Sequence, residues 1–318
     1  MLSRVADSLY WIGRYLERAE NALRILDVNM NLMLEGSSIK SDARWRRVMR
    51  ALGSTADAPD TDVGDTTRRL VFDTTDSASV AVCIALAREN ARQVRDEISS
   101  EQWQNLNRLY HRVAEFRSQP TSSMLSDAMQ TVLEGIYLFK GATDTTMTHG
   151  EGWHFIRAGR HMEGAMHIAT LLEMYYRELF TDGEALMDPS HYLEWIGLLR
   201  SCAAFESYCT VHTADVTPER ILEFLLLNRA FPHSLWFSIN SLVDALTCIQ
   251  QDGRRAPSED LSRRAGRLRA SLSFAQISEI IAQDTATYLR HVLDECRAIQ
   301  ELIYRLYISY SIDTALAL

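Results

Sequence analysis

The sequence predicts an all-α fold, a multi-helix bundle, on three observations. Apolar residues recur at three- and four-residue spacing from one end of the chain to the other. No run of alternating β-branched residues lies between tight turns to compete with them. The polar breaks rich in Gly, Ser and Pro fall between the periodic stretches. The 318 residues, 47% hydrophobic and 24% charged, match a soluble globular chain long enough for a large core.

Helix 1 runs from about Ser3 to Leu34 and stops at Gly36, with Ser37 and Ser38 extending the break. A short helix from Asp42 to Leu52 precedes the loop Gly53 to Asp60, and another spans Asp65 to Phe72. Ser77 opens a long helix to Ile98. Ser99-Ser100-Glu101-Gln102 then gives a capping-box signal for a helix to about Arg117, before Pro120. A further helix runs from Ser122 to about Met147. After His149-Gly150 a long helix reaches Leu179, and Pro189 opens one through Tyr192, Trp195 and Leu198. Thr217-Pro218-Glu219 marks an N-cap and first turn. A helix from Pro232 to Gln250 leads to the polar loop Asp252 to Pro257. Ser258 caps the next helix, and a closing helix runs from Phe274 to Ile308. Its stripe Ile299, Leu302, Ile303, Leu306 and Tyr310 suits the core or a homo-oligomer interface.

The chain is organised around Tyr10-Trp11-Ile12-Gly13-Arg14-Tyr15-Leu16-Glu17-Arg18-Ala19-Glu20-Asn21. At about 100° per residue, Tyr10, Arg14, Glu17, Arg18 and Asn21 fall within roughly 40° of one line, opposite Val5, Leu9, Ile12, Leu16, Leu23 and Met30. Two readings follow: a solvated charged face on an amphipathic helix, or a polar wall with guanidinium groups set for a carboxylate or phosphate. Arg88, Arg92 and Arg95 share a face in the same way, with Glu89, Asp96 and Glu97 as neighbouring partners. Gly159-Arg160-His161-Met162-Glu163-Gly164-Ala165 repeats Gly13-Arg14-Tyr15-Leu16-Glu17-Arg18-Ala19 as Gly-Arg-x-x-Glu-x-Ala, 146 residues on. A fainter echo sets Asn90 to Val94 against Phe231 to Leu235. The expectation is a single domain over 1–318 with pseudo-repeats 1–148 and 149–318. Packed about a twofold axis, these would set the two Gly-Arg helices face to face around a central polar site.

The net charge of −9 argues against general nucleic-acid binding, which rests on a positive surface. No apolar run nears the roughly 20 residues that cross a bilayer, and charge at Arg4, Asp7 and Arg14 arrives too early for a signal peptide. Five cysteines without regular spacing read as reduced, buried thiols. A cytoplasmic protein is expected, without membrane or nucleic-acid partners. All but two of the 33 basic residues are arginine, the exceptions being Lys40 and Lys140. Charge pairs will therefore be made by planar, always-charged forks.

A di-metal carboxylate site needs two Glu-x-x-His motifs, and only Glu151 to His154 fits, so no metal site is expected. Nucleotide-binding glycine loops and a Gly-x-Ser-x-Gly elbow are missing from the sequence. Glu17 and Glu163 are the candidates for acid or base work. Flanking arginine, however, lowers a carboxyl pKa, which suits them better to orienting a partner.

The segments Trp11 to Glu20, Ala87 to Asp96 and Gly159-Arg160-x-x-Glu163 resemble the alpha-E family, all-helical bacterial proteins with a Glu-Arg motif. Its members are typically encoded beside, or fused to, a circularly permuted ATP-grasp protein, often near a transglutaminase-like protease. The resemblance implies an accessory part in ATP-dependent amide or peptide bond formation. ATP and Mg would be held by the partner ligase and no cofactor by this chain, with a peptide or amino acid as substrate. It also implies ligand-binding roles for Arg14, Glu17, Arg18, Arg88, Glu89, Asn90, Arg92, Arg160 and Glu163. Two positions depart from the family pattern: Gly164 stands for the arginine of a second Glu-Arg-Ala, and His233 for that of Pro-Arg-Ser. An enzyme performing amide transfer or hydrolysis at the same cluster, and a purely structural interaction protein, are the competing readings. Burial discriminates them, since fully paired charges favour structure and a cleft with unpaired arginines favours binding or catalysis.

Overall fold

A computed structural model describes residues 1–34, 41–54, 63–118, 125–179, 191–213, 215–252 and 257–309. The described residues form fourteen α-helices and no strand. In order they are α1 (Ser3–Leu34), α2 (Ser41–Leu52), α3 (Val63–Phe72), α4 (Val80–Gln93), α5 (Ser100–Ser118), α6 (Leu125–Thr146) and α7 (Glu151–Leu179). There follow α8 (Tyr192–Ser201), α9 (Phe205–His212), α10 (Pro218–Leu227), α11 (Leu235–Asp252), α12 (Glu259–Phe274), α13 (Ile277–Ala282) and α14 (Thr285–Ile303), the last ending in a π turn over Tyr304–Ile308. Gly36 to Ser38, Lys40, the loop from 55 to Asp60, Pro120, Ser122, Pro189, the loop residues 253–256 and Tyr310 lie outside the described residues.

The two longest helices, α1 and α7, form the axis of the bundle and cross at two glycines. A Cβ on Gly13 would overlap the Ile156 carbonyl and come within 2.9 Å of the Arg160 amide nitrogen. One on Gly159 would overlap the Tyr10 carbonyl and come within 3.2 Å of the Arg14 nitrogen. Only glycine permits this backbone approach. The contacts are reciprocal: each Gly-Arg pair rests on the other, with Tyr10 and Ile156 in matching places.

Outward from this axis, α4 packs on α1 and α5 on α4, while α11 packs on α7 and α12 on α11. The turns that launch α4 and α11 are built alike. The Ser79 hydroxyl donates to the Asp73 carbonyl and accepts from Val82 N at 3.2 Å; the Ser234 hydroxyl donates to the Asn228 carbonyl and accepts from Phe237 N at 3.0 Å. Both are serine N-caps satisfying a first-turn amide. The likeness therefore pairs Asp73 to Val82 with Asn228 to Phe237. The echo read between Asn90–Val94 and Phe231–Leu235 does not hold, since the first lies at the end of α4 and the second in the turn before α11.

Two helix boundaries differ from the sequence reading. Ser79, not Ser77, caps α4, and the helix stops at Gln93 instead of Ile98, so Arg95 leaves the arginine stripe. The closing helix is divided: α12 ends at Phe274, and Asp284, at φ 75°, starts α14 by accepting from Ala286 N. Aspartate tolerates this left-handed backbone and caps the new helix with its side chain. A buried charge group that the sequence reading missed ties α2 to α7 and α8. Arg47 bonds Glu178 at 2.7 Å and Glu194 at 2.9 Å, and Arg44 also pairs with Glu194.

Candidate functional site

Beside the Gly13/Gly159 crossing, the charged faces of α1 and α7 meet each other rather than water. Tyr10, Arg14, Glu17, Glu20 and Asn21 are all buried. The Arg14 guanidinium bonds Glu163 across the crossing, donates to Tyr10 OH at 3.2 Å and to Gln300 Oε1 of α14 at 2.7 Å, and lies 5.3 Å from the Trp11 ring. Arg18 completes this side, giving Nε to Glu163 Oε1 at 2.7 Å and Nη2 to Oε2 at 3.2 Å. Burial alone would raise the Glu163 carboxyl pKa, but Arg14 and Arg18 together hold it lowered. For Arg14, burial opposes the charge and Glu163 and Tyr10 more than offset it, so its pKa is raised. Both carboxylate oxygens of Glu163 are thus matched by arginine donors, with Arg14 enclosed and Arg18 reaching toward solvent, as in a structural ion group.

The matching carboxylate, Glu17, is held differently. Arg160 stands where Arg14 stands on the other side, but its Nε is 3.5 Å from Glu17 Oε2 and makes no hydrogen bond among the described residues. The place matching Arg18 is Gly164, whose missing Cβ would lie 3.5 Å from Ser238 Oγ and 3.6 Å from Glu17 Oε1. Lys140 of α6 supplies the missing cation from a third helix, bonding Glu17 Oε2 at 2.5 Å and Glu20 as well. Arg24 closes the chain on Glu20 through Nε at 3.2 Å and Nη2 at 3.1 Å. Burial raises the Glu20 pKa, yet Lys140 and Arg24 bring it down to about 2. Three histidines are held neutral here: burial lowers His161 well below 6.5 and His167 to about 4, and lowers His233 despite Glu17 and Glu20 nearby. The His167 Nε2 and Asn21 Nδ2 atoms are buried without a hydrogen-bond partner among the described residues.

This side opens to solvent at a small notch between α1, α6 and α7, with about 30 Å³ of space and Gly13 at its back. Lys140, Arg157 and Arg160 line it, against one carboxylate, Asp144. Arg157 sits 4.6 Å over the Trp153 ring and forms no ion pair among the described residues. An ammonium has three donors, and Lys140 spends two on Glu17 and Glu20. Among the described residues, one Lys140 donor, the Arg157 guanidinium and the Arg160 nitrogens turned away from Glu17 are thus left for an incoming oxyanion. The notch accommodates an end group, not a whole drug-sized molecule.

The structure thus brings together Arg14, Glu17, Arg18, Arg160 and Glu163 from the sequence-selected set. Arg88, Glu89, Asn90 and Arg92 take other partners. Arg88 donates to Asn107 at 2.8 Å and lies 4.6 Å from the Tyr110 ring, Arg92 pairs with Glu89 on the exposed surface, and Asn90 bonds the Leu86 carbonyl. Glu151 bonds the Met1 amine at 3.0 Å. Cys83, Cys202 and Cys296 are buried, which pushes each thiol pKa up to about 12 and leaves no ready thiolate.

The chain has two Glu-Arg pairs. Glu17-Arg18 lies in this cluster, whereas the second, Glu219-Arg220, lies on the surface, where Arg220 pairs with Asp215. Residues 1–308 match the profile of Alpha-E, described as a predicted alpha-helical domain with a conserved ER motif. The chain belongs to the Alpha-E family. Its curated relatives include uncharacterized proteins of Mycobacterium bovis, 27% identical over 194 residues, and of two strains of Mycobacterium tuberculosis, 27% and 26% identical over the same length. Each alignment covers 54% of this Alpha-E chain but only 22% of the relative, so the chain spans about a fifth of the relatives it matches. No solved structure matches it. Sequence reasoning missed Glu20, Lys140, Arg157, His161, His167 and His233 as parts of the cluster. For Lys140 a signal existed: it is one of two lysines in a chain that otherwise uses arginine.

Proposed function

We propose that this Alpha-E chain is a helical accessory or substrate-binding component of an ATP-grasp amide or peptide ligase system, acting in the cytoplasm. Its notch would receive the carboxylate or phosphoryl end group of a ligand, an acyl intermediate or a partner segment. The observation that carries this reading is the set of unspent donors on Lys140, Arg157 and Arg160 around one small opening. Three further points support it. The carboxylates with shifted pKa in the cluster, Glu20 and Glu163, are lowered, the wrong direction for a general acid near neutral pH. The buried thiols are raised, which weighs against a cysteine nucleophile. The curated relatives are much longer than the matched segment, as expected where a helical component works with further protein. Duplication of the segments 1–148 and 149–318 would account for the reciprocal contacts, with Gly164 and His233 as changes confined to the second.

The arginines of the Glu163 side leave the ligand-binding assignment, since their charges are already matched. The assay is ATP turnover and ligation by the ATP-grasp partner, with amino acids and peptides as substrates, in the presence and absence of this chain. Dependence on the chain, lost in Arg160→Ala while folding is retained, is the expected result. Full ligation without it, and no complex between the two, would overturn the accessory role.

A further inference from the structure

A second hollow, of about 280 Å³, lies between α1 and the turn joining α8 to α9. Its walls carry Arg24 and Asp27 from α1, Arg200 from the end of α8, and Glu206 from α9. Asp27 is half-buried and makes no hydrogen bond or ion pair among the described residues, and burial pushes its carboxyl pKa up. Arg200 lies 5.2 Å from the Phe205 ring and forms no ion pair among the described residues. Arg24 spends Nε and Nη2 on Glu20 and Tyr137, and its Nη1 makes no hydrogen bond among the described residues. The rim is shaped by Ala203, a non-glycine residue at φ 51°, held there by bonds from its own amide to Arg200 O at 2.9 Å and from Ala204 N to Leu199 O at 2.8 Å. These two bonds are the ordinary left-handed cap of a helix C-terminus, which sets the shape of this rim.

Asp27, half-buried beside these charges, is left short of a partner, which is costly where water is partly excluded, while Arg200 and Glu206 stand at the exposed mouth and Arg24 keeps its pair with Glu20. A simple anion would satisfy Arg24 and Arg200 but face Asp27 and Glu206. A simple cation would meet the reverse problem, and an apolar ligand would satisfy none of them. We infer that this hollow binds a small zwitterion of the α-amino acid or short-peptide class, its ammonium toward Asp27 and Glu206 and its carboxylate toward Arg200 and the Nη1 of Arg24. The volume agrees, falling below the range of about 300–1,000 Å³ usual for drug-sized ligands. The inference does not depend on the ligase reading, because the hollow is separate from the notch and its test contains no ligase.

The test screens the full chain by thermal shift and calorimetry against the common α-amino acids, Ala-Ala and Gly-Gly at millimolar concentration. Each hit is repeated with its N-acetyl and amide derivatives. At least one zwitterion raises Tm and binds, at least about tenfold more weakly to Asp27→Asn and to Arg200→Gln. Both capped derivatives lose binding. Circular dichroism confirms that the variants, altered at partly or fully exposed side chains, keep the fold. The inference fails if no compound of the panel binds. It fails equally if the hit binds both variants as it binds the unaltered chain, or if the capped derivatives bind as well as the parent.

Discussion

Glu163 and Glu17 occupy matching places beside the α1/α7 crossing, each facing the arginine of the opposite helix, but only Glu163 is hydrogen-bonded by arginines, Arg14 and Arg18, whereas Glu17 is bonded by Lys140. Around Glu163, two guanidinium groups spend their forks on one carboxylate, and a neutral Gln300 closes the remainder. Around Glu17, one arginine is loose, the second is replaced by Gly164, and a lysine from α6 bridges to Glu20 in its place. The difference teaches how one buried charge motif divides its work. The Glu163 copy ties the two axial helices together through arginines, and the Glu17 copy leaves donors of Lys140 and Arg160 unspent among the described residues.

The largest effect expected from breaking this comparison is that of Glu163→Ala. It strands Arg14, 2% exposed, together with Arg18, and is expected to cost about 3–5 kcal/mol in chemical denaturation. Glu17→Ala leaves Lys140 its bond to Glu20 and Arg160 near solvent, so it is expected to cost about 1–3 kcal/mol. Equal losses would contradict the division. Next comes the crossing itself. Gly159→Ala drives a methyl into the Tyr10 carbonyl and is expected to lose about 2–3 kcal/mol, measured the same way, whereas alanine at Gly164 meets only ordinary contacts and is expected to be nearly neutral.

Acid probes the buried groups around the two carboxylates, beginning with His167, which feels Glu163 and then Glu17. His167 is held to about 4 in the fold against 6.5 when free, so between these values the unfolded chain binds a proton that the folded chain refuses. Its contribution is full above about pH 6.5 and is lost as the pH falls toward 4. Glu20, lowered from 4.5 to about 2, adds a further loss below pH 4.5. Urea midpoints measured across this range should fall in that order, and the first fall should shrink in His167→Asn. The smallest effect expected is a rescue. Gly164→Arg would give Glu17 the counterpart of Arg18 and is expected to recover about 1 kcal/mol of the stability lost in Lys140→Ala, read from a double-mutant cycle.

Much of the fold was legible because helical periodicity is local: α1 ends where its apolar spacing and the glycine after it place the end, and α7 likewise reaches Leu179. The repeated Gly-Arg-x-x-Glu was legible too, and the two helices that carry it do face each other. The burial of their charge was not. A polar stripe opposite an apolar one gives the same pattern whether it meets water or another helix's charges. Lys140 and Gln300 come to the cluster from 123 and 286 residues away in sequence, a distance at which spacing carries no information. Glu89, Asn90 and Arg92 show the converse, a charge-rich motif whose partners turn out to be local, while Arg88 beside them reaches Asn107 on α5.

The proposed division of labour between the two carboxylates is tested most directly by one measurement, ligation by the proposed ATP-grasp partner supplemented with Arg157→Ala/Arg160→Ala, set beside the unfolding free energy of that variant. The account predicts a protein within about 1 kcal/mol of the original stability that no longer supports ligation, since neither arginine is fully buried. A variant that supports ligation in full, or one that unfolds as Glu163→Ala does, would contradict it.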